Sequence, residues 1–335
     1  MSFNFGKNIR VSIFGESHGA AIGVVVDGLP AGVLLDTAAL HAFLARRRPG
    51  GALSTGRKEA DTPEFLSGLY DGALTGSPIC AVIKNMDVKS ADYEALKNTP
   101  RPGHADYPAT LRFGGAADMR GGGSFSGRMT APLCIAGGIC LQLLAEKGVT
   151  VTSSVQEIAG KRELAAMEEA VKAAAAEGDS VGGIVECRAK GLAPGMGGHM
   201  FDGIENRIAA AIFGVPGVRG IEFGDGFEAA RMRGSEHNDA YILQDGCVVT
   251  ETNHCGGVLG GMTTGNELVF RVALKPTPSI SKTQRTVNLE TMKETEISIS
   301  GRHDPCIVWR AAPAIEAAAA IALLDIILDG RTTWK

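Results

Sequence analysis

The chain has 335 residues, 44% apolar and 21% charged, with a formal net charge of −4. That balance supports a sizeable buried core and excludes wholesale disorder, and the 45 glycines keep no three-residue period, which excludes a collagen-like chain. No apolar run reaches the ~18–20 residues of a membrane span; Ala311–Leu324 comes nearest but carries Pro313 and Glu316, and Met1–Arg10 lacks the apolar stretch of a signal peptide.

Taken in chain order, Ile9–Phe14 and Ala21–Val26 read as short strands around the turn Gly15–Gly19 (GESHG). Asp36 or Thr37 caps a helix through Leu40, Phe43 and Leu44 that ends before Pro49, with Arg46, Arg47 and Arg48 in its last turn. Ile79–Ile83 is a strand, and Asn98–Asp118, rich in Pro, Gly and charge, reads as a long functional loop. Arg120–Arg128 (RGGGSFSGR) is a glycine-rich turn feeding an apolar helix to Lys147. Thr150–Val155 is β-like, Arg162–Glu177 an alanine-rich amphipathic helix, and Gly182–Glu186 a strand before the loop Gly191–Gly198. Phe201–Phe213 reads as helix, Val248–Gly265 as a β-run with Gly-rich turns, Leu268–Lys275 as a strand, and Ala314–Asp329 as a long buried helix. No repeat or low-complexity linker divides the chain. Scattered strands with alanine-rich helices predict one α+β domain with antiparallel sheets rather than a βαβ alternation.

Several strings carry chemistry. Gly15-Glu16-Ser17-His18-Gly19 presents His18 on a tight turn, or is a hairpin tip with a solvent-facing His; it also fits the G-x-S-x-G elbow of serine hydrolases, except that a strand, not a helix, follows. Arg46, Arg47, Arg48, Arg57 and Lys58 form a cationic run, more than helix-end charge needs, and suggest an anionic ligand. In Arg101-Pro102-Gly103-His104-Ala105-Asp106, proline holds Arg101 extended and Asp106 lies near enough to favour an imidazolium at His104; a loop-capping His is the alternative. The glycine turn before a helix suits a phosphate, though it is no Walker A loop. Lys275-Pro276-Thr277-Pro278-Ser279 offers a cation and two hydroxyls on a stiff backbone, and Gly301–Cys306 (GRHDPC) gathers a cation, an imidazole and a carboxylate. His41, His199, His237 and His254 show no zinc spacing, and the seven cysteines contain no C-x-x-C, so a reducing cytoplasm is expected and no metal.

GESHG, RRRPG, RPGHADY, the RGGG loop, GDGF at Gly224–Phe227, the turn Gly256–Gly261, LKPT and GRHDPC, in this order, resemble the chorismate synthase family from about Phe5 to Asp329. The resemblance implies a single domain over 1–335 with a β-α-β sandwich fold, long helices between two antiparallel sheets, usually a homotetramer; the alanine-rich helices are then expected to be buried on both sides. It implies a lyase of aromatic amino acid biosynthesis (the shikimate pathway) that makes chorismate from 5-enolpyruvylshikimate 3-phosphate by anti-1,4-elimination of phosphate. It also implies reduced FMN without net redox change. On this resemblance His18 is the general acid at the leaving phosphate. His104 protonates or hydrogen-bonds the reduced flavin, and Asp304 tunes or deprotonates its N5. Arg47, Arg48 and Arg128 hold the substrate. Ser124, Phe125, Ser126, Gly260, Lys275, Pro276, Thr277, Pro278, Ser279 and Arg302 match FMN-contacting positions. Arg47 is also matched to NADPH, yet Leu53 stands where a second such Arg is common, so NADPH is expected to act weakly or indirectly and a separate flavin reductase to supply the cofactor. Ser124 stands where an Arg is common and Met129 where an acid is common. No nucleic-acid or membrane partner is expected. The competing readings are a serine hydrolase built on Ser17 and a non-catalytic anion- or RNA-binding module.

Overall fold

The structure is a computed structural model that describes residues 3–48, 61–85, 98–299 and 304–329. Leu53, Arg57, Lys58, Arg302 and the rest of 301–303 lie outside the described residues.

The first sheet grows from apolar alternation. Strands β1 (Asn4–Phe5), β2 (Arg10–Gly15), β3 (Ala21–Asp27) and β4 (Glu64–Ser67) precede a small hairpin, β5 (Leu69–Tyr70) and β6 (Ala73–Leu74), and then β7 (Ile79–Lys84). Their order is β1-β2-β3-β7-β4, every pair antiparallel, with the hairpin outside it. Ile22, Val24 and Val26 of β3 and Ile79, Ala81 and Ile83 of β7 are buried, one inward residue every two positions. The second sheet joins β8 (Thr150–Ile158), β9 (Gly183–Lys190), β10 (Val218–Phe223) and β15 (Leu268–Leu274) in the order β10-β15-β9-β8, again antiparallel. Between β10 and β15 come two hairpins, β11 (Tyr241–Gln244) with β12 (Cys247–Thr250) and β13 (Val258–Leu259) with β14 (Met262–Thr263). A last hairpin pairs β16 (Gln284–Asn288) with β17 (Lys293–Ile297).

Helix α1 (Thr37–Ala45) starts where Asp36 Oδ1 accepts from Ala39 N at 2.8 Å, so of the two caps the sequence offers, Asp36 and Thr37, Asp36 serves. Helix α3 (Thr130–Glu146) packs on β3 and β7, helix α7 (Val308–Ile327) on β8 and β9, and the two pack on each other. The remaining helices are α2 (Asp106–Phe113), α4 (Leu164–Ala176), α5 (Ile204–Ile212) and the short α6 (Gly234–His237). Every residue of α7 except Trp309 and Arg310 is buried. Each fully buried Ile or Leu there contributes roughly 1.5–3 kcal/mol. The two buried acids of α7 are answered: Glu316 by Arg46 (2.8 Å) and Ser153 (2.7 Å), and Asp325 by Arg207 and the backbone N–H groups of Lys7, Asn8 and Ile9. The chain start is thereby tied to the last helix.

The fold is mixed α+β with several antiparallel sheets, and four readings change. Asn98–Asp118 is not all loop: α2 forms inside it, because Pro108 falls in its first turn, where no N–H is needed, and Gly114 closes it in the left-handed conformation (φ 58°). Helix α7 begins six residues before Ala314 and carries Pro313 within it, a lost backbone bond outweighed by burial. Burial on both sides, expected of the alanine-rich helices, fails for α4, which buries only Met167, Val171 and Ala174. The segment Gly127–Glu146, not Ala311–Leu324, is long and apolar enough to cross a bilayer, and 72% of it is buried within the fold.

Candidate active site

A cavity of ≈ 530 Å³ opens where α3 and α7 begin, and residues far apart in sequence line it. The first wall is cationic. Arg47 leaves the end of α1 and Arg128 the turn before α3; both are buried. Arg47 Nε donates to Thr130 Oγ1 (2.8 Å) and its Nη1 to Asp61 Oδ2 (2.7 Å), while Arg128 Nη1 donates to Asp61 Oδ1. Burial lowers the Arg47 pKa, with Asp61 opposing. Arg48 is half-buried and off the lining, and among the described residues nothing accepts from its buried Nε.

The second wall is the RPGH loop. Asp106 Oδ1 lies 2.6 Å from His104 Nδ1, a spacing that requires Nδ1–H to donate, since two lone pairs would repel. Nε2 is then the imidazole's working atom. Arg101 clasps the same carboxylate through Nε and Nη2, both at 2.7 Å, and reaches Ser279 Oγ at 3.2 Å. Burial alone would raise the Asp106 pKa; its hydrogen bonds from Arg101 and His104 win and hold it well below the usual carboxylate range. Lys275 Nζ donates to Gly103 O, so this loop and the LKPT segment form one surface.

The third wall is the glycine turn. Gly121, Gly122 and Gly123 all have positive φ (62°, 90° and 55°), and Ser124, Phe125 and Ser126 follow on the lining. A Cβ on Gly121 would lie 2.5 Å from His18 Cδ2 and 2.9 Å from Ser17 Oγ; one on Gly122 would lie 3.2 Å from His104 Nε2. The two histidines thus touch successive glycines of one turn. His18 is buried, not solvent-facing, and stands behind Gly121 rather than on the lining itself. The fourth wall holds Lys275–Ser279, Asp304 and Arg310. Arg310 Nη1 pairs with the Asp304 carboxylate, Arg310 Nε donates to Arg47 O (3.0 Å), and Thr277 Oγ1 donates to Asp304 O (2.8 Å).

The cavity therefore gathers Arg47, His104, Ser124, Phe125, Ser126, Arg128, Lys275, Pro276, Thr277, Pro278, Ser279 and Asp304. Gly260 is not among them: it sits at the tip of the β13–β14 hairpin, with nothing near its Cβ direction. Arg302 lies outside the described residues. Asp61, Arg101 and Arg310 join the site residues that the motif strings name. Asp61 was signalled only by closing the RKEAD string, and Arg101 only by its proline neighbour; nothing in sequence marked Arg310. The hydrolase elbow fails, because strand β3 follows the turn and Ser17 is buried.

A family model described as "Chorismate synthase" matches residues 9–328. The chain is 49% identical over 325 residues to a chorismate synthase of Chitinophaga pinensis, covering 97% of this chain and 96% of the relative. It is 46% identical over 351 residues to one of Thermococcus kodakarensis, covering 98% of each. A solved structure titled "Crystal Structure of Chorismate Synthase" superposes with a TM-score of 0.76 at 25% identity, over 98% of this chain and 94% of that one. The chain belongs to the chorismate synthase family. That membership also replaces the non-catalytic anion- or RNA-binding reading.

Proposed function

We propose that this chain eliminates phosphate from 5-enolpyruvylshikimate 3-phosphate to give chorismate, the last step of the shikimate pathway, as the chorismate synthase family does. One observation carries the assignment of roles: five separate motif strings, those of Arg47, His104, Ser124–Arg128, Lys275–Ser279 and Asp304, converge on one cavity.

The family's cofactor, reduced FMN, fits the residues present. Lys275, Thr277, Ser279, Ser124 and Ser126 offer donors for a phosphate and polar ring edge, and Phe125 offers an aromatic face. The positive-φ turn brings backbone without side chains to the cavity wall, with His18 packed where a Cβ on Gly121 would stand. When bound, reduced FMN supplies electron density as the C3–O bond breaks and recovers it as the C6–H bond breaks.

The chain's own groups do the rest. Arg47 and Arg128 bind the substrate's anionic groups and orient them toward the glycine turn, with Arg48 beside them. His18, buried against Gly121 just behind the lining, is the general acid that delivers a proton to the leaving phosphate. His104, fixed by Asp106 at Nδ1, holds its mobile proton at Nε2 on the cofactor side. Asp304, gripped by Arg310, is the carboxylate that receives a proton on the far wall. Acid–base help of this kind is worth about 10²–10⁴-fold. Arg47 is engaged by Asp61 and Thr130, which supports reading it as a substrate anchor rather than an NADPH contact. NADPH then acts indirectly, through a separate reductase.

We read the layers as a β-α-β sandwich forming one domain over 1–335. Large exposed apolar side chains, among them Phe201, Phe227, Tyr241 and Leu243, support assembly with further copies as a homotetramer. Seven unpaired cysteines and a net charge of −4 support a cytoplasmic enzyme without nucleic-acid or membrane partners.

The deciding experiment is an anaerobic assay with the enolpyruvyl substrate and chemically reduced FMN, following phosphate and chorismate. Equal release of both is expected. A homogeneous, flavin-loaded sample that releases no phosphate would remove the reading.

A further inference from the structure

Behind the cationic wall stands a carboxylate that the chemistry above does not use. Asp61 is 3% exposed and does not line the cavity. Its backbone is left-handed (φ 42°), a conformation Asp tolerates better than most residues. One oxygen accepts from Arg47 and the other from Arg128, so a single carboxylate serves two buried guanidiniums. Both arginines have other fixed partners as well, Thr130 for Arg47 and Asn85 for Arg128. Two buried like charges held this close repel: burial works most strongly against the Arg47 charge, and the neighbouring Arg310 and Arg128 guanidiniums add to it. Two positive charges less one negative leave a single net positive charge on the wall.

We infer that Asp61 is a positioning residue that tunes the anion affinity of this wall. It holds Arg47 and Arg128 at a common spacing and cancels one of their two charges, so the wall releases the phosphate it has helped to expel. Because Asp61 lies behind the arginines, an incoming anion adds to the cluster rather than displacing it. The inference rests on the proposed reading of Arg47 and Arg128 as substrate anchors.

The test is calorimetric titration of inorganic phosphate into the full-length wild type, Asp61→Asn and the double variant Asp61→Asn/Arg128→Gln. Asp61→Asn is expected to bind phosphate at least about tenfold more tightly, the change that ~1.4 kcal/mol gives, and to gain more in Tm from added phosphate than the wild type. The double variant, with one charge again, is expected to return to wild-type affinity or weaker. Phosphate affinity in Asp61→Asn equal to or below wild type overturns the inference. Should Asp61→Asn fail to fold, a folded double variant still supports charge cancellation; failure of both assigns Asp61 to chain anchoring and overturns it. Arg128→Gln alone separates the two readings. An unchanged substrate KM removes the anchor role itself, whereas a raised KM beside unaltered phosphate affinity in Asp61→Asn rejects the tuning alone.

Discussion

His18 and His104 meet the same glycine turn by opposite means. His104 is wired: Asp106 takes its Nδ1–H, Arg101 clasps Asp106, and Ser279 ties Arg101 to the neighbouring wall. His18 is wedged: it sits in a strand-to-strand turn, buried, against a residue without a side chain. Hydrogen bonds fix the tautomer of the first, while the second is packed where a methyl on Gly121 would overlap it. An imidazole oriented by a carboxylate should tolerate steric change nearby and fail when the carboxylate is neutralised. One held by packing should do the reverse.

The largest expected effects remove the rings themselves. His18→Ala and His104→Ala should each lower turnover by about 10²–10⁴-fold, His104→Ala with FMN affinity retained; unchanged turnover in stopped-flow phosphate release would reject the assigned role. Gly121→Ala comes next. Its methyl would overlap His18, and its φ of 62° disfavours a side chain by roughly 1–2 kcal/mol, so turnover should fall at least about tenfold. Gly122→Ala carries backbone strain too (φ 90°) but meets its nearest neighbour, His104, only at 3.2 Å, so a smaller loss is expected; an equal one would blur the distinction between the two sites.

Asp106→Asn is the converse test. Losing a charge-assisted bond worth roughly 1.5–3 kcal/mol should cost about tenfold to a hundredfold in turnover. Its stability signature has a definite sign. Because the Asp106 pKa is depressed in the folded chain, its contribution is full above the unfolded value of about 4 and fades as pH falls below that. Urea titrations should therefore show wild type and Asp106→Asn separated near neutrality and converging toward strong acid. The smallest effect belongs to Arg101→Lys, which keeps the charge but loses the two-pronged clasp. Less than about a tenfold loss in turnover is expected, and a larger one would give Arg101 a role of its own beyond holding Asp106.

Much of this was legible in the chain. Alternating apolar residues announced β2, β3, β7, β9 and β15, and Asp36 announced α1. The motif strings carried His104, Arg128, Lys275 and Asp304 because such residues need special backbone beside them: proline before a bend, or glycines at positive φ. Residues that act through others left weaker marks. Asp61 and Arg310 have no unusual neighbours; their importance arises from partners 67 and 6 residues away that only folding brings into range. The strands β10, β16 and β17 leave little mark in the sequence for a related reason. Their exposed or half-buried positions lack the apolar alternation that marks a core strand.

The contact between Gly137 and Ala317 lies several residues along α3 and α7 from where both helices begin. A Cβ at position 137 would lie 2.3 Å from Ala317 Cα, backbone that cannot rotate aside. The two helices are therefore as near as their main chains allow, and both open onto the cavity, Thr130 on one rim and Arg310 on the other. The pair works as a caliper: the missing methyl at its pivot lets the two helices close to backbone contact, and the cavity lies between their tips.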